Sequence, residues 1–110
     1  MAFQHKNLAH GDWQKLPMLA QMANLGSEVI RAMRWRAKGN VAYANAAFER
    51  SLELFDLTIA DRKNVNRLKE ILRAREAWVD FFAYDNIYHS TERQWEKYFL
   101  AFNWAANVNK

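Results

Sequence analysis

The sequence predicts an all-α chain folded as an antiparallel up-down-up-down four-helix bundle. Three observations carry that expectation. Apolar residues recur at three- and four-residue spacing, as in Val41, Ala44, Phe48, Leu52, Phe55 and Ile59. Three glycines and one proline are too few turn formers for a many-stranded sheet. The breaks between periodic segments are short, which favours antiparallel neighbours. With 110 residues, 51% of them hydrophobic, there is enough chain for one continuous core. The expected organisation is an N-terminal arm over residues 1–12 and a single bundle domain over residues 13–110.

The elements follow in order. The arm carries His5 and His10, too isolated to act as metal ligands. The first helix starts near Leu16–Pro17, since proline suits a first helical turn. It buries Leu19, Met22, Ala23, Gly26, Val29, Ile30, Met33 and Ala37. Gly26 lies inside that stripe, where glycine costs about 1 kcal/mol relative to alanine, so a close approach to another helix is expected to compensate. Gly39 can take the left-handed conformation that closes a helix, and Asn40 can cap the next, which runs to Ala60. The connector DRKNVN then breaks the pattern. A third helix spans about Val65 to Tyr84 and buries Leu68, Ile71, Leu72, Trp78, Val79 and Phe82. After DNIYHS, Thr91 and Gln94 form a capping box with Glu92 in the first turn. The fourth helix buries Trp95, Tyr98, Phe99, Phe102 and Ala106 and frays into NVNK.

Net charge is +4 and unevenly spread. Residues 13–39 carry five basic and one acidic side chain, and residues 40–61 carry one basic and four acidic. Oppositely charged helices side by side would attract one another, a structural reading that competes with a nucleic-acid footprint. Absence of cysteine excludes a disulfide framework and a thiolate zinc site, and suits a reducing compartment. No window approaches the ~18 consecutive apolar residues of a membrane span. A soluble cytoplasmic protein without membrane association is the expectation.

Catalytic and cofactor signatures are missing. The inward Glu-x-x-His pairs of a di-metal bundle do not occur, and Glu49, Glu53 and Asp56 read as a solvated face. The glycines stand alone, so no phosphate loop is present. Ser27, Ser51, Ser90 and Thr91 have no nearby base, and His89 reads as a loop surface residue. No catalytic residue, metal or cofactor is therefore expected. Two basic clusters remain. Arg31, Arg34, Arg36 and Lys38 surround Trp35, a mixture that complements the end of a helix dipole and would also suit RNA. The second comprises Arg62, Lys63, Arg67, Lys69, Arg73 and Arg75. Its first members should lie at the opposite end of the bundle from Arg31–Lys38, which argues against one continuous nucleic-acid groove. Arg75, spaced between Leu72 and Trp78, is drawn to the core boundary and needs a carboxylate, from Asp80 or from the second helix.

The segment LKEILRAREAWVDFFAYDNIYHS, residues 68–90, resembles the R-x-x-R-x-x-L-x-H-x-Y region of the HEPN superfamily. These are small helical bundles often found beside minimal nucleotidyltransferases in bacteria and archaea. Ribonuclease members pair an Arg with a His four to six residues on. Arg75 stands at the Arg position, and Asp80 occupies the His position. An ionised carboxylate cannot donate a proton as His does, so the resemblance implies scaffold and binding rather than cleavage. It further implies self-association and a nucleotidyltransferase or nucleotide partner. Arg73 and Arg75 would bind phosphate or a partner carboxylate, Asp80 would orient Arg75, and Tyr84 would line the same pocket.

The segment KGNVAYANAAFERSLEL, residues 38–54, is similar to half of a tetratricopeptide repeat, although no second copy follows. That likeness, with five tryptophans, supports an alternative reading as a protein–protein adaptor whose exposed anchors are Trp13 and Trp104. Weak RNA binding through Arg31, Arg34, Trp35 and Arg36 is the third reading.

Overall fold

A computed structural model describes residues 11–108. Among these residues there is no strand, and four α-helices pack around a shared core: α1 (Met18–Ala37), α2 (Val41–Ala60), α3 (Leu68–Ala83) and α4 (Glu92–Val108). Two short 3-10 turns, Trp13–Lys15 and Arg62–Arg67, precede α1 and α3. Most of the anticipated arm, with His5 and His10, lies outside the described residues.

The local signals act as their chemistry requires. Gly39 adopts φ +80°, and the Asn40 side chain accepts the Tyr43 backbone N–H at 3.0 Å. Thr91 Oγ1 accepts from Gln94 N at 3.2 Å while Gln94 Oε1 accepts from Thr91 N at 3.0 Å, a reciprocal capping box. Gly26 is buried where α1 meets α4, and an added Cβ there would lie 2.5 Å from Phe99 Cβ. The missing side chain is what lets the two helices touch. α1 packs most extensively, against both α2 and α4.

Six expectations need correction. The third helix starts at Leu68 rather than Val65, because residues 62–67 wind as a tighter turn capped by the Asp61 side chain at Lys63 N. Ala37, Val41 and Leu72 are exposed: Ala37 is the last residue of α1, Val41 is the first of α2, and Leu72 lies off the buried line of Ile71, Ala74 and Trp78. Glu53 is buried instead of solvated, since α2 is covered by α1 on one side and α3 on another. Trp13, anticipated as an exposed anchor, is only 2% exposed and donates its indole N–H to Thr58 Oγ1 at 2.9 Å.

Trp13 belongs to a buried polar cluster that ties the first turn to the second. Gln21 Nε2 donates to Trp13 O at 2.9 Å and to Asp61 Oδ2 at 2.8 Å, and Gln21 Oε1 accepts from Asn64 Nδ2 at 2.8 Å. Asn64 Nδ2 also donates to Thr58 O at 2.9 Å, and Lys63 Nζ forms an ion pair with Asp61. Burial pushes the Asp61 carboxyl up, yet the hydrogen bonds from Lys63 and Gln21 and the Lys63 charge outweigh it and hold the group below its ordinary value. A carboxyl lowered in the folded state contributes stability that is complete above its unfolded value and fades as pH falls toward the folded one. The melting temperature is therefore expected to drop as pH falls below about 4. Asp61→Asn should lose stability at pH 7 but show a shallower acid decline, measurable by circular dichroism melts across that range.

Candidate functional site

α3 and α4 meet through large side chains rather than close backbone approach: Trp78 and Trp95 lie 5.7 Å apart between ring centres. Small residues, Ala74 and Ala77, face the Trp95 and Tyr98 rings and do not fill the space. The result is an open groove of about 650 Å³, within the range of small-molecule sites.

A carboxylate of α3 is hydrogen-bonded at the groove and another at a smaller pocket beside it. At the groove Glu70 accepts from Arg67 Nη2 at 2.8 Å and from the Tyr98 hydroxyl at 2.8 Å. Burial pushes the Tyr98 phenol well above its ordinary value, and the Glu70 hydrogen bond and charge add to the effect. In the smaller pocket the Tyr88 hydroxyl donates to Glu76 at 2.8 Å, and that hydrogen bond raises the Tyr88 phenol too. Arg73 and Ala77 also border this adjoining pocket.

Lys69 and Arg73 stand one turn apart on the rim of the groove. Neither forms an ion pair among the described residues. Trp95 lines the groove, is buried, and its indole N–H finds no acceptor among the described residues. An apolar lining and two available cations suit a ligand that carries both an anionic group and a flat apolar surface. Among the described residues, no three His, Asp or Glu side chains gather so as to hold a metal ion.

The sequence-derived site is redistributed. Of Arg73, Arg75, Asp80 and Tyr84, only Arg73 lies on this groove. Arg75 Nε pairs with Asp56 of α2 at 2.9 Å, so the second helix supplies its carboxylate and Asp80 does not orient it. Asp80 accepts from the backbone N–H groups of Ile87 and Tyr88 at 3.0 and 3.1 Å. It thereby fixes the α3–α4 connection, where Asn86 and His89 both have φ 54°, and places Tyr88 beside Glu76. Tyr84 is 74% exposed and borders neither the groove nor the adjoining pocket.

The basic cluster of α1 also divides. Arg31, Arg34 and Trp35 line a cleft against α4, together with Lys38. Arg36 turns away: Nη1 donates to Phe82 O at 3.0 Å and its guanidinium sits 4.3 Å from the Phe82 ring centre. It fastens α1 to the end of α3.

Lys69, Glu70, Trp95 and Tyr98 went unassigned as site residues, the two aromatics having been placed in the core. The available signal was the pairing of small and large residues, Ala74 and Ala77 opposite Trp95 and Tyr98. No helix among the described residues is long and apolar enough to cross a membrane. No family model, curated protein or solved structure matches this chain.

Proposed function

We propose that this protein is a non-catalytic binding subunit of HEPN-like type, which holds a nucleotide in the α3–α4 groove for a nucleotidyltransferase-type partner. The observation that carries the reading is Arg73, an available guanidinium on the rim of a groove floored by Trp95. Arginine matches a phosphate in geometry and charge, and the apolar lining of the groove offers a base a surface to rest on. With Asp80 engaged by backbone N–H groups and Arg75 by Asp56, the positions that resemble a ribonuclease pair serve the scaffold.

The proposed scaffold is the up-down-up-down bundle, self-associated as such subunits are. Contacts that support it pair rising with falling residue numbers: Glu28 with Arg50 and Gln21 with Asp61 for α1 and α2, then Phe48 with Phe82 and Asp56 with Arg75 for α2 and α3. Glu70 with Tyr98 and Trp78 with Trp95 continue the pattern to α4.

Calorimetric titration with AMP, ATP and CTP tests the reading. At least one is expected to bind, and Arg73→Ala should weaken it about tenfold or more, since a hydrogen bond to a charged group contributes roughly 1.5–3 kcal/mol. Arg75→Ala should leave the affinity unchanged. Binding by none of the three, or equal loss in both variants, counts against the proposal.

A further inference from the structure

The cleft between α1 and α4 shares no lining residue with the α3–α4 groove. Its volume is about 520 Å³, and Ile30, Arg31, Arg34, Trp35, Lys38 and Leu100 shape it. Its charge is one-sided. Glu28 is divided between Arg31 at 2.8 Å and Arg50 at 3.1 Å, so a single carboxylate serves two guanidiniums. Arg34 and Lys38 have no ion-pair partner among the described residues.

Leu100, which lines the cleft, begins an exposed apolar row on α4. Leu100 is 60% exposed and Trp104, one turn on, is 68% exposed. Val108 extends the row by a further turn. A row at four-residue spacing is the surface that another helix covers. Trp35 offers little to a nucleic-acid base, because the Lys38 ammonium already lies 5.2 Å over its ring and Tyr43 packs edge-on at 4.8 Å. Single-stranded recognition needs a free aromatic face.

We infer that the α1–α4 cleft docks an acidic amphipathic helix from a protein partner, with its apolar side on Leu100 and Trp104 and its carboxylates on Arg31, Arg34 and Lys38. Charge complementarity selects this occupant over the same face of a second copy, because residues 98–108 of α4 carry no charge to meet the cations. The inference stands independently of the nucleotide reading.

Fluorescence anisotropy with two labelled helical peptides of about five turns tests it. Both carry leucine at heptad a and d positions; one bears glutamate at the remaining exposed positions and the other lysine. The glutamate peptide is expected to bind saturably and the lysine peptide at least tenfold more weakly. The double variant Arg34→Glu/Lys38→Glu should reverse that preference, and Trp104→Ala should weaken the glutamate peptide at least fivefold. Arg73→Ala, which impairs the nucleotide groove, should change nothing here. These side chains are exposed, and unchanged melting temperatures would show that the variants remain folded. Lack of binding by the glutamate peptide, equal binding of both peptides, or tighter binding of labelled oligouridine overturns the inference. So does a dimer in sedimentation equilibrium that Trp104→Ala dissociates, since the row would then be covered by a second copy.

Discussion

Replacing Gly26 with alanine is expected to lower stability by about 2 kcal/mol or more, although alanine is the better helix former by roughly 1 kcal/mol. An alanine Cβ would lie 2.5, 2.7 and 2.8 Å from Cβ, Cγ and Cδ1 of Phe99. Phe99 cannot rotate away, because the nearest of these atoms is its own Cβ. It is also 1% exposed and packed against Trp95 and Tyr98, with ring centres at 6.1 and 5.0 Å. The helices must instead part by roughly 1 Å, and overpacking of this kind commonly costs about 1–3 kcal/mol and sometimes more. Urea unfolding measures the loss. Phe99→Ala costs about 3–5 kcal/mol by itself and retains its Cβ, so it should relieve little of the Gly26→Ala penalty. Full relief in that background would show that the Phe99 ring, rather than the helix approach, limits the space.

Gln21→Ala is the second large effect, with an expected loss of about 3 kcal/mol. Gln21 is completely buried and joins Trp13, Asp61 and Asn64 through hydrogen bonds of 2.8–2.9 Å. Its removal leaves the Trp13 carbonyl without that donor and deprives Asp61 of a hydrogen bond in a nearly dry setting. Leu16 N–H still reaches the Trp13 carbonyl, Lys63 still holds Asp61 and Thr58 O still accepts from Asn64. The loss is therefore that of three hydrogen bonds at about 1 kcal/mol each, to which the vacated volume adds. Release of the first turn should accompany it, visible as greater acrylamide quenching of tryptophan fluorescence when Trp13 becomes accessible. Gln21→Glu should be worse at pH 7 than at pH 5, because it sets a second carboxylate against Asp61.

The two effects mark what the sequence made legible. Features written in neighbouring residues could be read directly: the Gly39–Asn40 junction, the Thr91–Gln94 box and the compensated glycine at position 26. Their hydrogen bonds or conformations are local, so spacing specifies them. The burial of Trp13 could not be read, because its partners Thr58 and Gln21 belong to different helices and only the finished packing unites them. For the same reason DRKNVN read as a bare connector, although Asp61 and Asn64 within it are the centre of a buried network.

The candidate site was legible only in part. Arg73 was identified from a motif that included Arg75 and Asp80, yet those two residues diverge once folded. Arg75 reaches across to Asp56, and Asp80 turns to the following loop. A helical period fixes which residues share a face, but it does not say which neighbouring carboxylate arrives first. The groove itself is a property of two helices held apart by Trp78, Trp95 and Tyr98, and no single segment encodes it. Asp80 nevertheless matters to the groove through Tyr88, whose backbone N–H it accepts and whose hydroxyl meets Glu76.

Whether the α3–α4 groove is the ligand site can be read from the five indole N–H resonances in a proton–nitrogen correlation spectrum. Titration with the nucleotide that binds most tightly by calorimetry should move the Trp95 indole resonance, while those of Trp13, Trp35 and Trp104 stay in place. Assignment by single Trp→Phe variants identifies each peak. Movement of Trp35 or Trp104 without Trp95 would place the ligand in the α1–α4 cleft and contradict the account.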